Sequence, residues 1–266
     1  SLSDAEIAKI AAWADAGAPQ GNPADLPPAR ELANGEVWTI GRPDLIVKLP
    51  SVLVNATAPD WWGAMGSAPF GLTEDRYVAA IESKERNDVP RSADVGTVGG
   101  RFVVHHASYT VVPPEDVGVS PEELRERRTA LRADQVQFVP RFPTHEVGRN
   151  ADVYPLDGGT LVKAGSRLAV NNVHLHANGR DTNAYLEVGL RLFPKGLVPK
   201  YNVIGISPGS AELLDVDGNA ANQRGDGVYM LDRPMKLLTF EPHMHAAGVR
   251  FCMDAVYGPI VQTINC

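Results

Sequence analysis

From Val37 to Cys266 the apolar residues come in short runs, broken every few positions by Gly, Pro, Asn or Asp. That texture predicts β-strands over 44–49, 76–83, 100–112, 135–139, 167–176, 184–193, 201–206, 227–231, 236–244, 248–256 and 260–265. Strands at this density, with little helix between them, point to sandwiches or jelly rolls and away from a parallel sheet. Phe193-Pro-Lys-Gly-Leu-Val-Pro-Lys200 is rich in turn residues and is the predicted internal boundary.

Two segments break the strand pattern. Residues 3–16 predict a helix, with Ser3 as N-cap, Glu6 completing a capping box, and Gly17 ending it. Ile7, Ile10, Ala11 and Ala14 share one face of that helix, and Trp13 widens it. A second helix is expected at about 121–133, opened by Ser120, Pro121 and Glu123; its many charges mark it as solvated. Between the first helix and the strands, Asn22–Asn34 is rich in Pro and Ala and reads as a linker.

Composition bounds the class of protein. A chain of 266 residues with 44% hydrophobic and 21% charged residues can build a substantial core. Its net charge of -7 and the lack of a basic cluster beyond Arg125–Arg128 argue against nucleic-acid binding. No apolar run approaches the ~18 residues of a membrane-spanning helix. The first residues, Ser1-Leu-Ser-Asp, have neither the basic start nor the apolar stretch of a signal peptide. Cys252 and Cys266 lie on two strand-like segments, where a disulfide suited to an oxidising compartment and two buried thiols are both open readings.

Histidine carries the chemistry. Six of the seven histidines form three tight pairs: His105-His106, His174-Leu-His176 and His243-Met-His245. Residues two apart on a strand share a face, so His174 with His176, and His243 with His245, could each present two imidazoles side by side. Adjacent residues oppose one another, so His105 and His106 could serve one ion only if a bulge or strand end re-aims one ring. Asn178-Gly179 supplies a turn after His176, which places that pair near the end of a hairpin returning as Thr182–Leu192. His145, alone in Phe142-Pro-Thr-His-Glu-Val-Gly148, reads as a surface residue or a hydrogen-bonded strut. Imidazole sets suit copper, zinc, iron and nickel. Nothing matches the His-Glu-x-x-His of a zinc hydrolase, although Glu241 precedes His243.

The order His105-His106, then His174-Leu-His-Ala-Asn-Gly179, then Glu241-Pro-His-Met-His-x-x-Gly248 resembles the type II copper, ascorbate-dependent monooxygenases. That family includes peptidylglycine α-hydroxylating monooxygenase and dopamine β-monooxygenase. Trp38-Thr-Ile-Gly-Arg-Pro-Asp44 and Thr144-His-Glu-Val-Gly-Arg-Asn150 resemble bacterial members that carry a c-type cytochrome domain upstream. Leu2–Gly21 is similar to the last helix of such a cytochrome, but no Cys-x-x-Cys-His is present to attach haem. The resemblance implies residues 1–35 as a cytochrome remnant with its linker, 36–196 as a first antiparallel jelly-roll copper domain, and 197–266 as the start of a second.

It further implies that His105, His106 and His174 hold one copper, and that His243 and His245 hold a second at which a substrate C–H bond is hydroxylated. Up to two coppers would bind, an ascorbate-like reductant or cytochrome c would donate electrons, and haem c would sit on an upstream domain. A periplasmic or secreted location follows. Two departures stand out. Ala107 follows the His-His pair where animal members have Met, and the downstream Met that completes the family's second site has no counterpart before Cys266. The half-formed second domain calls for further chain or a protein partner to cover its edges. The rival expectation is a non-catalytic β-sandwich subunit of a larger assembly, with a structural metal or none.

Overall fold

A computed structural model describes residues 2–26, 36–90, 93, 95, 98–120, 123, 142–155, 157–206, 217–231, 233–244 and 248–266. The expected strand at 135–139, the expected helix at 121–133 apart from Glu123, and His245 lie outside these residues. Glu123 donates its backbone N–H to Ser120 Oγ at 3.1 Å, the bond expected of a helix N-cap.

The described chain is mainly β, with one N-terminal α-helix, α1 (Asp4–Asp15). Ser3 and Glu6 form the reciprocal capping box, and Gly17 follows at φ 82°. No residue of α1 is buried, and Ile7, Ile10 and Trp13 each stay about half exposed. The strands that follow are β1 (Leu45–Lys48), β2 (Val52–Val54), β3 (Trp61–Gly63), β4 (Gly66–Pro69) and β5 (Arg76–Asn87). Next come β6 (Val104–Val112), β7 (His145–Glu146), β8 (Ala151–Val153), β9 (Gly158–Val162) and β10 (Arg167–Leu175). The last are β11 (Thr182–Leu192), β12 (Tyr201–Asn202), β13 (Met253–Tyr257) and β14 (Ile260–Asn265).

The residues separate into two compact units, Ser1–Gly118 with Val139–Ile204, and Val119–Phe138 with Gly205–Cys266. In the first, one sheet runs β1-β11-β5-β9-β12, with β2 also on β11 and β8 also on β5. The other runs β3-β10-β6-β7, with β4 also on β10. Every pairing is antiparallel except β9 with β12. Inward residues of both sheets join one apolar cluster: Ala184, Leu186, Val188 and Leu190 from β11, and Leu168, Val170, Val173 and Leu175 from β10. This is the arrangement of sheets packed face to face. Each such side chain, fully removed from water, contributes about 1.5–3 kcal/mol. The Tyr109 hydroxyl donates to Ser83 Oγ at 2.7 Å, so the buried phenol joining the two sheets is satisfied.

The hairpin expected between the strand of His174 and Thr182–Leu192 does not form. β10 and β11 lie in different sheets, and the turn at Asn178-Gly179 carries the chain from one to the other. Both strands have one fully apolar face, and facing each other across the core buries both. Asn178 holds the crossing, accepting from Arg180 N at 3.2 Å and Thr182 Oγ1 at 3.0 Å.

On the outer face of the first sheet, Glu82 accepts from Thr39 N, Thr39 Oγ1 and Ile40 N at 2.6, 2.9 and 3.0 Å. Trp38 packs there on Gly189, where a Cβ would come within 2.7 Å of the indole. The chain is thereby pinned across β5 and β11.

The second unit contains β13 and β14, an antiparallel pair closed by a Cys252–Cys266 disulfide. The reading of two free thiols is therefore excluded. None of its described residues is buried. The strands expected at 227–231 and 236–244 are not formed, and 248–256 shortens to β13. Pro242 removes a ladder donor in the middle of one of them, and no described strand pairs with either.

Candidate metal centre

Strands β6 and β10 bring His105, His106 and His174 together on the face of their sheet turned away from the core. Two bulges accomplish this. In β10, Val170 pairs with Tyr109 and Asn172 with Ser108, leaving Asn171 as an extra residue. Leu168 and Val170 point inward before the bulge, and Val173 and Leu175 after it. Without the extra residue, His174 would face the core.

In β6, His174 pairs with His106 and Leu175 with Val104, leaving His105 as the extra residue. Ala107 and Val104 both enter the core, so the two histidines between them turn outward together. The bulge that an adjacent His-His pair requires is present.

Register then sets a row of side chains across four strands, Trp62 on β3, His174 on β10, His106 on β6 and Glu146 on β7. The ring centroids of His105 and His106 both lie close to that of His174, at 4.8 and 5.4 Å. One ligand nitrogen from each of the three histidines falls within 4.8 Å of the others. The Nδ1 atoms of His105 and His106 are 3.4 Å apart. Two metal–nitrogen bonds of about 2.05 Å meeting at about 110° span about 3.4 Å. That pair therefore already has ligand spacing, and small ring rotations bring in the third. Three neutral imidazoles on one side of an ion leave its other positions open, a donor set that fits copper, zinc, iron or nickel.

His176 stays apart from the trio. Its backbone N–H donates to Val103 O at 3.0 Å, its Nδ1 lies 3.3 Å from Ala177 O, and its ring is 6.2 Å from that of His105. β10 ends at Leu175, so the two-residue period does not carry on to it.

His145 is neither at the surface nor hydrogen-bonded through Nδ1. It pairs with core-facing Ala107, is 8% exposed, and its buried Nδ1 has no hydrogen-bond partner among the described residues. Burial, with His106 nearby, lowers its pKa to about 4, which keeps it neutral near pH 7.

Three residues that sequence reasoning passed over support the trio. Glu85 accepts from Val103 N at 3.1 Å and Val104 N at 2.8 Å, tying the bulged start of β6 to β5 in the other sheet. Burial raises the pKa of this carboxyl against those hydrogen bonds. Asp60 Oδ2 lies 3.2 Å from His174 Nε2. Trp62 stacks on the His174 ring, with centroids 4.2 Å apart and planes 7° from parallel. Within Glu-Ser-Lys-Glu-Arg-Asn87 the acid reads as solvated, while Pro59-Asp-Trp-Trp-Gly63 offered a visible signal in its two consecutive tryptophans.

The second predicted pair is not assembled among the described residues. His243 is exposed and on no strand, so the same-face argument for His243 and His245 has no strand beneath it. His245 lies outside the described residues. Comparison with protein-family models, curated proteins and solved structures returns no match to this chain.

Proposed function

We propose that this chain is an extracytoplasmic copper protein of the type II monooxygenase-like class, built on a jelly-roll first domain. The single observation that carries the reading is the convergence of His105, His106 and His174 on one open sheet face. Two further observations support it. The three histidine phrases occur in the order of that class. The Cys252–Cys266 bond suits an oxidising compartment, and no helix among the described residues is long and apolar enough to cross a membrane.

Copper, when bound, would supply one-electron redox chemistry, which all-imidazole ligation supports in both oxidation states. His105, His106 and His174 would hold the electron-relaying ion, with its uncovered side facing an ascorbate-like or cytochrome donor. His243 and His245 would hold the ion at which a substrate C–H bond is hydroxylated, with a third ligand supplied from elsewhere.

A second reading is favoured by one specific observation, the exposed and irregular setting of His243. In it the chain is a non-catalytic subunit whose trio binds a structural metal. Elemental analysis after copper reconstitution separates the two. About two coppers per chain, one lost in His174→Ala and the other in His243→Ala together with all oxygenase turnover, supports the enzyme. One copper, lost in His174→Ala and kept in His243→Ala, supports the subunit. No uptake ends both metal readings.

A further inference from the structure

We infer that Asp60 and Trp62 are positioning residues of this centre, gripping His174 at its second nitrogen and on its ring face. The inference rests on the reading of the trio as a metal site. A neutral imidazole carries one N–H and one lone pair, and a metal takes the lone pair. Asp60 Oδ2 lies 3.2 Å from Nε2, so that nitrogen donates and Nδ1 carries the lone pair. Nδ1 is also the atom through which His105 and His106 approach each other to 3.4 Å. Asp60 therefore selects the tautomer that the trio needs, and its charge makes the ring a stronger donor.

Trp62 acts on the same ring from the side. It sits directly opposite His174 in the strand register and lies nearly parallel to it at 4.2 Å. Stacking limits rotation of the imidazole about its χ2 bond. An imidazole bound to a cation is electron-poor, which strengthens its attraction to the indole face.

One short edge segment supplies both constraints, and its own shape is specified. A Cβ at Gly63 would fall 2.1 Å from the Trp61 ring, so only glycine lets that indole fold back along β3. The Asp60 side chain is 56% exposed, so a carboxylate there adds little to the stability of the metal-free fold. Its contribution is concentrated in the metal-bound state.

The test is a titration of the full chain with a copper(II) salt alone, followed by affinity, indole fluorescence and the melting temperature of the metal-free protein. Asp60→Ala is expected to weaken copper binding about 10–100-fold while leaving metal-free melting unchanged, and Asp60→Glu to recover part of the loss. Copper should quench indole emission in the unaltered chain, and Trp62→Phe should remove most of that quench while retaining binding. Equal affinity in Asp60→Ala, or a quench that survives in Trp62→Phe, overturns the clamp and leaves the metal centre standing. No copper uptake by the unaltered chain overturns the centre and the clamp with it.

Discussion

The two units solve the same problem in opposite ways. The first buries apolar side chains from two sheets against one another, down to 0% exposure at Leu168, Val173, Leu186 and Leu190. The second has no buried residue among those described, and leaves Val228, Met230 and Val249 at 86, 86 and 95% exposure. Its hairpin is held by ladder bonds, the disulfide, and side-chain pairs such as Thr263 Oγ1 to Asp254 Oδ1 at 2.6 Å. The histidines follow this division. His105, His106 and His174 sit on strands whose opposite faces are locked into the core, whereas His243 has no such support. A metal site needs side chains held by their surroundings, and packing supplies that hold in the first unit only.

The sharpest way to break the contrast is to delete buried and exposed apolar groups in turn. Leu186→Ala removes a fully buried side chain from the centre of β11 and should cost about 2–5 kcal/mol in denaturant unfolding. Ile264→Ala, 49% exposed on β14, should stay within about 0.5 kcal/mol. Comparable losses at the two positions would show that the β13–β14 hairpin packs against something in solution.

Next in size is the covalent link. The Cys252–Cys266 bond closes a loop of sequence separation 14, worth about 3 kcal/mol to a structure with little else to hold it. Cys252→Ser with Cys266→Ser should speed amide exchange throughout β13 and β14 while leaving β10 and β11 protected. Loss of protection in β10 as well would mean that the two units do not fold independently.

What the sequence revealed tracks the same division. Long strands with a clean apolar face, such as β5, β10 and β11, were legible because burial enforces the period of two. The bulges left a trace too, since the alternation of Leu168 and Val170 slips by one before Val173 and Leu175. Short strands such as β3, β4 and β8 were not legible: three or four residues do not establish a period, and pairing with a distant strand decides them. The same holds for the supports of the trio. Asp60 and Glu85 read as solvated acids because their partners, His174 and the start of β6, become neighbours only through register. In the region 227–244 apolar residues alone suggested strands, and no buried face exists there to make them so.

The smallest effect isolates a cost specific to the packed unit. His145 is buried with its Nδ1 unpaired, and its pKa falls from 6.5 to about 4. A histidine held neutral in the fold but free to take a proton when unfolded contributes fully above pH 6.5, and that contribution declines as pH falls toward 4. Between pH 7 and pH 5 the metal-free protein should lose about 2 kcal/mol of unfolding free energy through this group alone. His145→Gln, which cannot take up a proton, should flatten that part of the pH–stability curve while remaining less stable at pH 7. The β13–β14 hairpin has no buried histidine and should show no such dependence when its amide exchange is followed over the same range. An unchanged slope in His145→Gln would mean that the imidazole is reached by water, and would remove the clearest electrostatic difference between a region that excludes solvent and one that does not.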